Sequence, residues 1–152
     1  MRHVALALCL LAVLMPAAAR AGENQITDLP TKYGFADLVK RLDDAIKTHK
    51  MFVVTRASAS IGAKRRGVSI PGNMVIGVYR NDFAVRMLEA SVPAGIEAPI
   101  RFYIWQGKNG KAVLSYRKPS VVFAPYKGGA KLKALAAELD TIFAAIARDT
   151  VK

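Results

Sequence analysis

Residues 99–119, PIRFYIWQGKNGKAVLSYRKP, constrain the fold more than any other part of this chain. Two runs of alternating apolar and polar character flank Asn109-Gly110, a dipeptide suited to the left-handed conformations of a tight type I′ turn. The pattern predicts a β-hairpin built from residues 100–106 and 112–116. With a two-residue loop, Trp105 faces Leu114 and Tyr103 faces Tyr116. Side chains alternate across a strand, so Arg101, Tyr103 and Trp105 share one face and Ile100, Phe102 and Ile104 the other.

A hairpin needs partners to bury its apolar face, and the rest of the sequence supplies them. In FADLVKRLDDAI the residues Phe35, Leu38, Val39, Leu42 and Ile46 recur at spacings of three and four, the stripe of an amphipathic helix. MFVVTRAS (residues 51–58) is short, β-branched and aromatic, which favours a strand. A basic cluster follows, Lys64-Arg65-Arg66, on a short helical turn ended by Gly67. NMVIGVY is a second alternating strand, in which the missing side chain of Gly77 leaves a dimple for close packing by a helix. Phe83, Ala84, Met87 and Leu88 form a short helical stripe, and Leu132, Leu135, Leu139, Ile142 and Ile146 a long one-sided helix suited to lying on a sheet. At the joint between strand and helix, VYRND, Asn81 reads as the N-cap and Asp82 as a first-turn carboxylate favoured by the helix dipole, with Arg80 beside it. The order points to a single α+β domain over residues 33–149, an antiparallel sheet of about four to five strands packed on one face by two helices. Residues 22–32 read as an irregular lead-in whose last members can pair as an edge strand, and 150–152 as a tail.

The beginning of the chain bears on compartment. Residues 1–21 carry a basic Arg2, an apolar run of about a dozen residues, a breaking Pro16 and the small-residue ending Ala19-Arg20-Ala21. This is the layout of a secretory signal peptide cleaved near Ala21, and the run is too short for a membrane span of about 20 residues. Export would make the mature domain periplasmic or secreted. Cleavage removes Cys9, the one cysteine, together with His3, so thiol chemistry, cysteine-based zinc and multi-histidine metal sites are excluded by inventory. Of 23 Lys and Arg against 11 Asp and Glu, Arg2 and Arg20 fall in the leader, leaving 21 against 11 and a strongly basic domain. Such a surface attracts anions; in an exported protein these are envelope polyanions rather than nucleic acid.

The pieces FADLVKRLDDAI, GAKRRGVSIPGNMVIGVYRND, EAPIRFYIWQGKNGKAVLSYRKP and the terminal helix together resemble the domain of unknown function 302 family across nearly the whole mature chain. The family pattern falls here on Ala63 and Gly67, Arg80-Asn81-Asp82, Ala98-Pro99, Gly110, and Tyr116 with Pro119. The resemblance implies a TATA-binding-protein-like arrangement of sheet and helices, often homodimeric, and no established activity. Two departures stand out. Many members carry an Asp-His pair where this chain has Ser58-Ala59, and Asp82 replaces a proline.

Candidate chemistry is sparse. His49 follows an amphipathic helix and reads as a helix-end residue, while Asp43 and Asp44 diverge by about 100° around the helix and read as a solvated face beside Arg41 and Lys47. The constellation best suited to a ligand is Arg101, Tyr103, Trp105 and Tyr116 on one hairpin face, rings for stacking with cations nearby, with Arg66 as a wall of an anion site. The reading is therefore an exported, non-catalytic domain, homodimeric, that binds a small anionic or aromatic ligand or an envelope polyanion, with no cofactor and no metal. Its alternatives are a structural or interaction homodimer, or a hydrolase-type enzyme using carboxylate, Tyr or Lys chemistry.

Overall fold

The computed structural model describes residues 25–152, so the expected leader and its cleavage site lie outside the described residues. Five strands, β1 (Ile26–Pro30), β2 (Phe52–Ala57), β3 (Asn73–Tyr79), β4 (Ile100–Gln106) and β5 (Ala112–Arg117), form one sheet in the order β1-β5-β4-β3-β2. Every neighbouring pair is antiparallel. Between and after them run α1 (Phe35–Thr48), α2 (Ala59–Arg65), α3 (Asn81–Ala90), a 3₁₀ turn (Val92–Glu97), α4 (Pro119–Phe123) and α5 (Gly129–Val151).

One face of the sheet carries the core. Met74, Ile76 and Val78 of β3, Phe102 and Ile104 of β4, and Leu114 of β5 pack against Leu38, Leu42 and Ile46 of α1 and Leu135, Leu139 and Phe143 of α5. Phe102 and Phe143 stack at 4.9 Å, so α5 is keyed to the centre of the sheet. The apolar stripes of α1 and α5 predict this arrangement, and an α+β domain with a five-stranded antiparallel sheet is the result.

The hairpin register differs from the expected one. Phe102 pairs with Tyr116, Ile104 with Leu114, and Tyr103 with Ser115. The connection is a three-residue turn, closed by Gly107 N–H to the Lys111 carbonyl at 2.8 Å and Gly110 N–H to the Gly107 carbonyl at 3.0 Å. Gly110 alone in this turn is left-handed, at φ 77°, whereas a type I′ turn would need Asn109 to be left-handed too. Asn109 instead accepts a hydrogen bond from Lys111 N–H through its side-chain oxygen at 3.0 Å. The reason lies in burial. A slip of one residue turns every side chain of β5 to the opposite face, and the observed register sends Ala112, Leu114 and Tyr116 inward.

As expected, the last members of the lead-in pair as an edge strand, β1, matched to β5 from Ile26↔Arg117 to Pro30↔Val113. Two further expectations shift. The supposed tail is the last turn of α5, where Thr150 is fully buried and its carbonyl accepts a 2.8 Å bond from Arg41 Nε. At the β3–α3 joint, Arg80 occupies the cap position and Asn81 is the first helical residue, without a side-chain cap. The Asn81 side-chain oxygen accepts from the Tyr79 hydroxyl at 3.3 Å instead. Asp82 does lie in the first turn, gripped by Arg80 at 2.7 and 2.9 Å, and this bond holds its carboxyl below the ordinary carboxylate range.

Candidate functional site

The helices cover one face of the sheet; the opposite face presents Arg101, Tyr103 and Trp105 of β4 in the alternation the sequence predicts. Beside them stand Val75 of β3, across from Tyr103, and Ser115 of β5, also across from Tyr103. Gly77 lies on this face opposite Arg101, and its dimple is filled: a Cβ there would strike the Thr55 hydroxyl and approach Pro99 Cγ to 2.6 Å. Close packing, by a strand neighbour and a proline rather than by a helix, accounts for that glycine.

Against this face lies a recess of ≈ 780 Å³. Its floor includes Arg101, Tyr103, Ser115 and Arg117, its wall is α4 from Ser120 to Val122, and Glu97 stands at one end. The wall is fixed by a carboxylate from the far helix. Pro119 occupies the first turn of α4, where its missing donor is not needed, and Ser120 donates both its N–H (2.8 Å) and its hydroxyl (2.6 Å) to Asp140 of α5. Glu97 is likewise held, accepting the Tyr126 hydroxyl at 2.6 Å, and this bond raises the phenol of Tyr126 above its ordinary range.

Of the residues the sequence proposes for a ligand, Arg101 and Tyr103 come together in the recess. Arg101 is exposed, and among the described residues no hydrogen bond or ion pair engages it. Trp105 lies on the same face but is tethered: its indole N–H donates to Ser115 Oγ at 2.9 Å, and Ser115 donates onward to Asp28 of β1. Tyr116 also lines the recess, but it is buried and its ring packs 5.3 Å from that of Phe102 in the core. Burial, seconded by the charge of Asp140, raises its phenol. Arg66 ends α2 as its C-cap residue and lines neither this recess nor its neighbour.

A second, shallower recess of ≈ 670 Å³ shares Val75 and Tyr103 with the first and is bounded by Ser58, Ala59 and Asn73. The Ser58-Ala59 departure from the family pattern therefore falls beside Tyr103. Ser58 serves locally as the α2 cap, accepting from Ile61 N–H at 3.2 Å, and Ala59 N–H donates to Asn73 Oδ1 at 2.9 Å. Neither position offers an acid or a base. His49 is placed far along the chain's other packing surface, bonded to Asp149 of α5 at 2.8 Å. Among the described residues no three of His, Cys, Asp and Glu are grouped to hold a metal ion.

Sequence reasoning missed Ser120, Asp140, Glu97 and Tyr126, which shape the wall and the end of the recess. The Pro119-Ser120 pair did carry a helix-start signal. The pairing of Ser120 with Asp140 spans 20 positions and has no local signature.

The family model described as Domain of unknown function DUF302 matches residues 27–148. The crystal structure of an uncharacterized conserved protein DUF302 from Bacillus stearothermophilus superposes with a TM-score of 0.72 at 20% identity, covering 84% of this chain and 98% of that one. At that identity the likeness is one of fold. Two proteins named Fluoride-specific ion channel FluC 1, from Brucella suis biovar 1 (strain 1330) and Brucella abortus biovar 1 (strain 9-941), are 23% identical over 105 residues, 69% of this chain. The match covers 41% and 39% of their lengths, so the chain spans about two fifths of these relatives. Among the described residues no helix is long and apolar enough to cross a membrane.

Proposed function

We propose that this chain, which belongs to the DUF302 family of domains of unknown function, binds a small anionic or aromatic ligand in the recess on the uncovered face of its sheet, without catalysis. The observation that carries the reading is Arg101, an exposed guanidinium with no partner among the described residues, at the floor of a ≈ 780 Å³ recess beside the ring of Tyr103. A volume of that size suits a small molecule, and recesses of this kind are usually apolar with a few placed polar groups. Arg101 supplies a planar, always-charged donor for a carboxylate or phosphate, and Tyr103, 39% exposed, supplies a surface for stacking. Export through the leader of residues 1–21 places the domain in the periplasm or outside the cell. Association as a homodimer is supported by the exposure of Phe52 and Val54, 63% and 49%, on the edge strand β2.

The test is native mass spectrometry of the protein isolated from its own envelope fraction, followed by thermal-shift titration with a panel of aromatic carboxylates and small phosphates. A co-purifying small molecule, or a panel member whose affinity falls roughly tenfold or more in Arg101→Ala at unchanged stability, supports the reading, since a charged hydrogen bond is worth about 1.5–3 kcal/mol. Ligand-free protein that ignores the panel overturns it. Light scattering of the same sample decides between monomer and dimer.

A further inference from the structure

The segment from Ala59 to Pro71 has no evident purpose in folding. None of its side chains is buried, and Ile61, Val68 and Ile70 are 47%, 50% and 41% exposed. A Cβ placed on Gly62 or Gly67 would meet nothing within 4 Å, so neither glycine packs against the rest of the molecule. It is nevertheless well ordered at its base. Ser58 Oγ accepts from Ile61 N–H, Asn73 Oδ1 accepts from Ala59 N–H, and Ser60 Oγ accepts from Asn73 N–H at 3.3 Å. The far end is closed by Gly67 at φ 74° and by Val68 N–H donating to the Ala63 carbonyl at 3.0 Å. Hydrogen bonds fix this excursion, and its three large apolar side chains are left over.

Its charge is one-sided. Lys64, Arg65 and Arg66 are exposed, none of them makes an ion pair among the described residues, and no acid occurs anywhere from residue 45 to residue 81. Ile61 lies three and four positions from Lys64 and Arg65, on one face of α2. Exposed apolar side chains interleaved with unpaired cations complement an anionic bilayer surface, whose headgroups attract the cations while the boundary below accepts the apolar groups. We infer that residues 61–70 dock this domain on an anionic phospholipid surface. This docking uses a surface apart from the recess and does not rest on the ligand reading.

The experiment is co-sedimentation of the purified protein with vesicles of phosphatidylglycerol and phosphatidylcholine in equal parts, and with phosphatidylcholine alone. Binding is expected to the first and not the second. Lys64→Gln/Arg65→Gln/Arg66→Gln should weaken it roughly a hundredfold, the product of about fivefold per cation. Ile61→Ser/Val68→Ser/Ile70→Ser should weaken it by about tenfold or more in 0.5 M salt, where exposed charges are screened. Thermal unfolding should be nearly unchanged in both, because no buried side chain is altered. If a triple variant fails to fold, Val68→Trp reports directly, and its emission should shift to the blue on adding the anionic vesicles. Binding that neither triple variant changes, or an unshifted Val68→Trp emission, overturns the inference. So does binding that depends on charge alone and is matched by heparin, which would make this a polyanion site. If the apolar variant turns a dimer into a monomer while vesicle binding persists, the surface pairs with a second copy and the inference also fails.

Discussion

Gly77 illustrates how much a single residue can be asked to do. It lies in the interior of a sheet, where glycine costs about 0.5–1 kcal/mol relative to alanine, and its backbone is not left-handed. Space is the requirement: Thr55 and Pro99 occupy the volume a side chain would need. Gly77→Ala should therefore destabilise the domain by about 1–3 kcal/mol, the usual range for overpacking, despite the better strand propensity of alanine. Denaturant unfolding checks it, and a variant as stable as the parent would show that Pro99 can move away. Arg80 and Asn81 teach the complementary lesson. The residue types at this joint do suit a helix start, but the helix begins one position earlier than the capping pattern implies, and Asn81 turns its oxygen to Tyr79. Local chemistry predicts that a helix starts here; it does not choose between adjacent positions.

At the scale of elements, the β4–β5 hairpin decides which residues reach the uncovered face. Its existence is legible from two alternating runs around Asn109-Gly110, and β4 alternates as expected. Register was not legible from the dipeptide, because the same two residues fit a type I′ turn or the last two places of a three-residue turn ending in a left-handed glycine. The two turns make different demands. With Gly110 alone at positive φ, Gly110→Ala should cost about 1–2 kcal/mol and Asn109→Ala distinctly less, the loss of one exposed hydrogen bond. Comparable losses at both positions in thermal melts would indicate the two-residue turn. The consequence for the candidate site is direct: Ser115, not Tyr116, stands beside Tyr103, and Tyr116 becomes core.

Over the whole molecule, α1 and α5 lie together on the sheet and are fastened where their C-termini meet. Arg41 of α1 donates to the Thr150 carbonyl, and His49 is bonded to Asp149 at 2.8 Å. The bond from His49, then that from Lys152, holds the Asp149 carboxyl below its ordinary range. A carboxylate whose folded pKa is depressed contributes stability above its unfolded pKa of about 3.9 and loses it as pH falls through the lower folded value. Acid unfolding should thus be steeper below about pH 4 in the parent than in Asp149→Asn. Equal slopes would mean that the clasp does not act on stability. Neither the clasp nor the recess wall is visible in the sequence, since His49 and Asp149 are 100 positions apart and Ser120 and Asp140 are 20 apart. What the amino-acid sequence determined by itself was periodic: which segments are helices or strands, which face of each is apolar, and hence an antiparallel sheet covered on one side. What only the tertiary structure decided was registry and juxtaposition: the register of β5 on β4, the choice of β5 as the partner of β1, the filling of the Gly77 dimple by Pro99, and the closing of a recess by α4. Periodicity is a property of neighbours along the chain, whereas registry is settled by the burial of all the apolar faces at once.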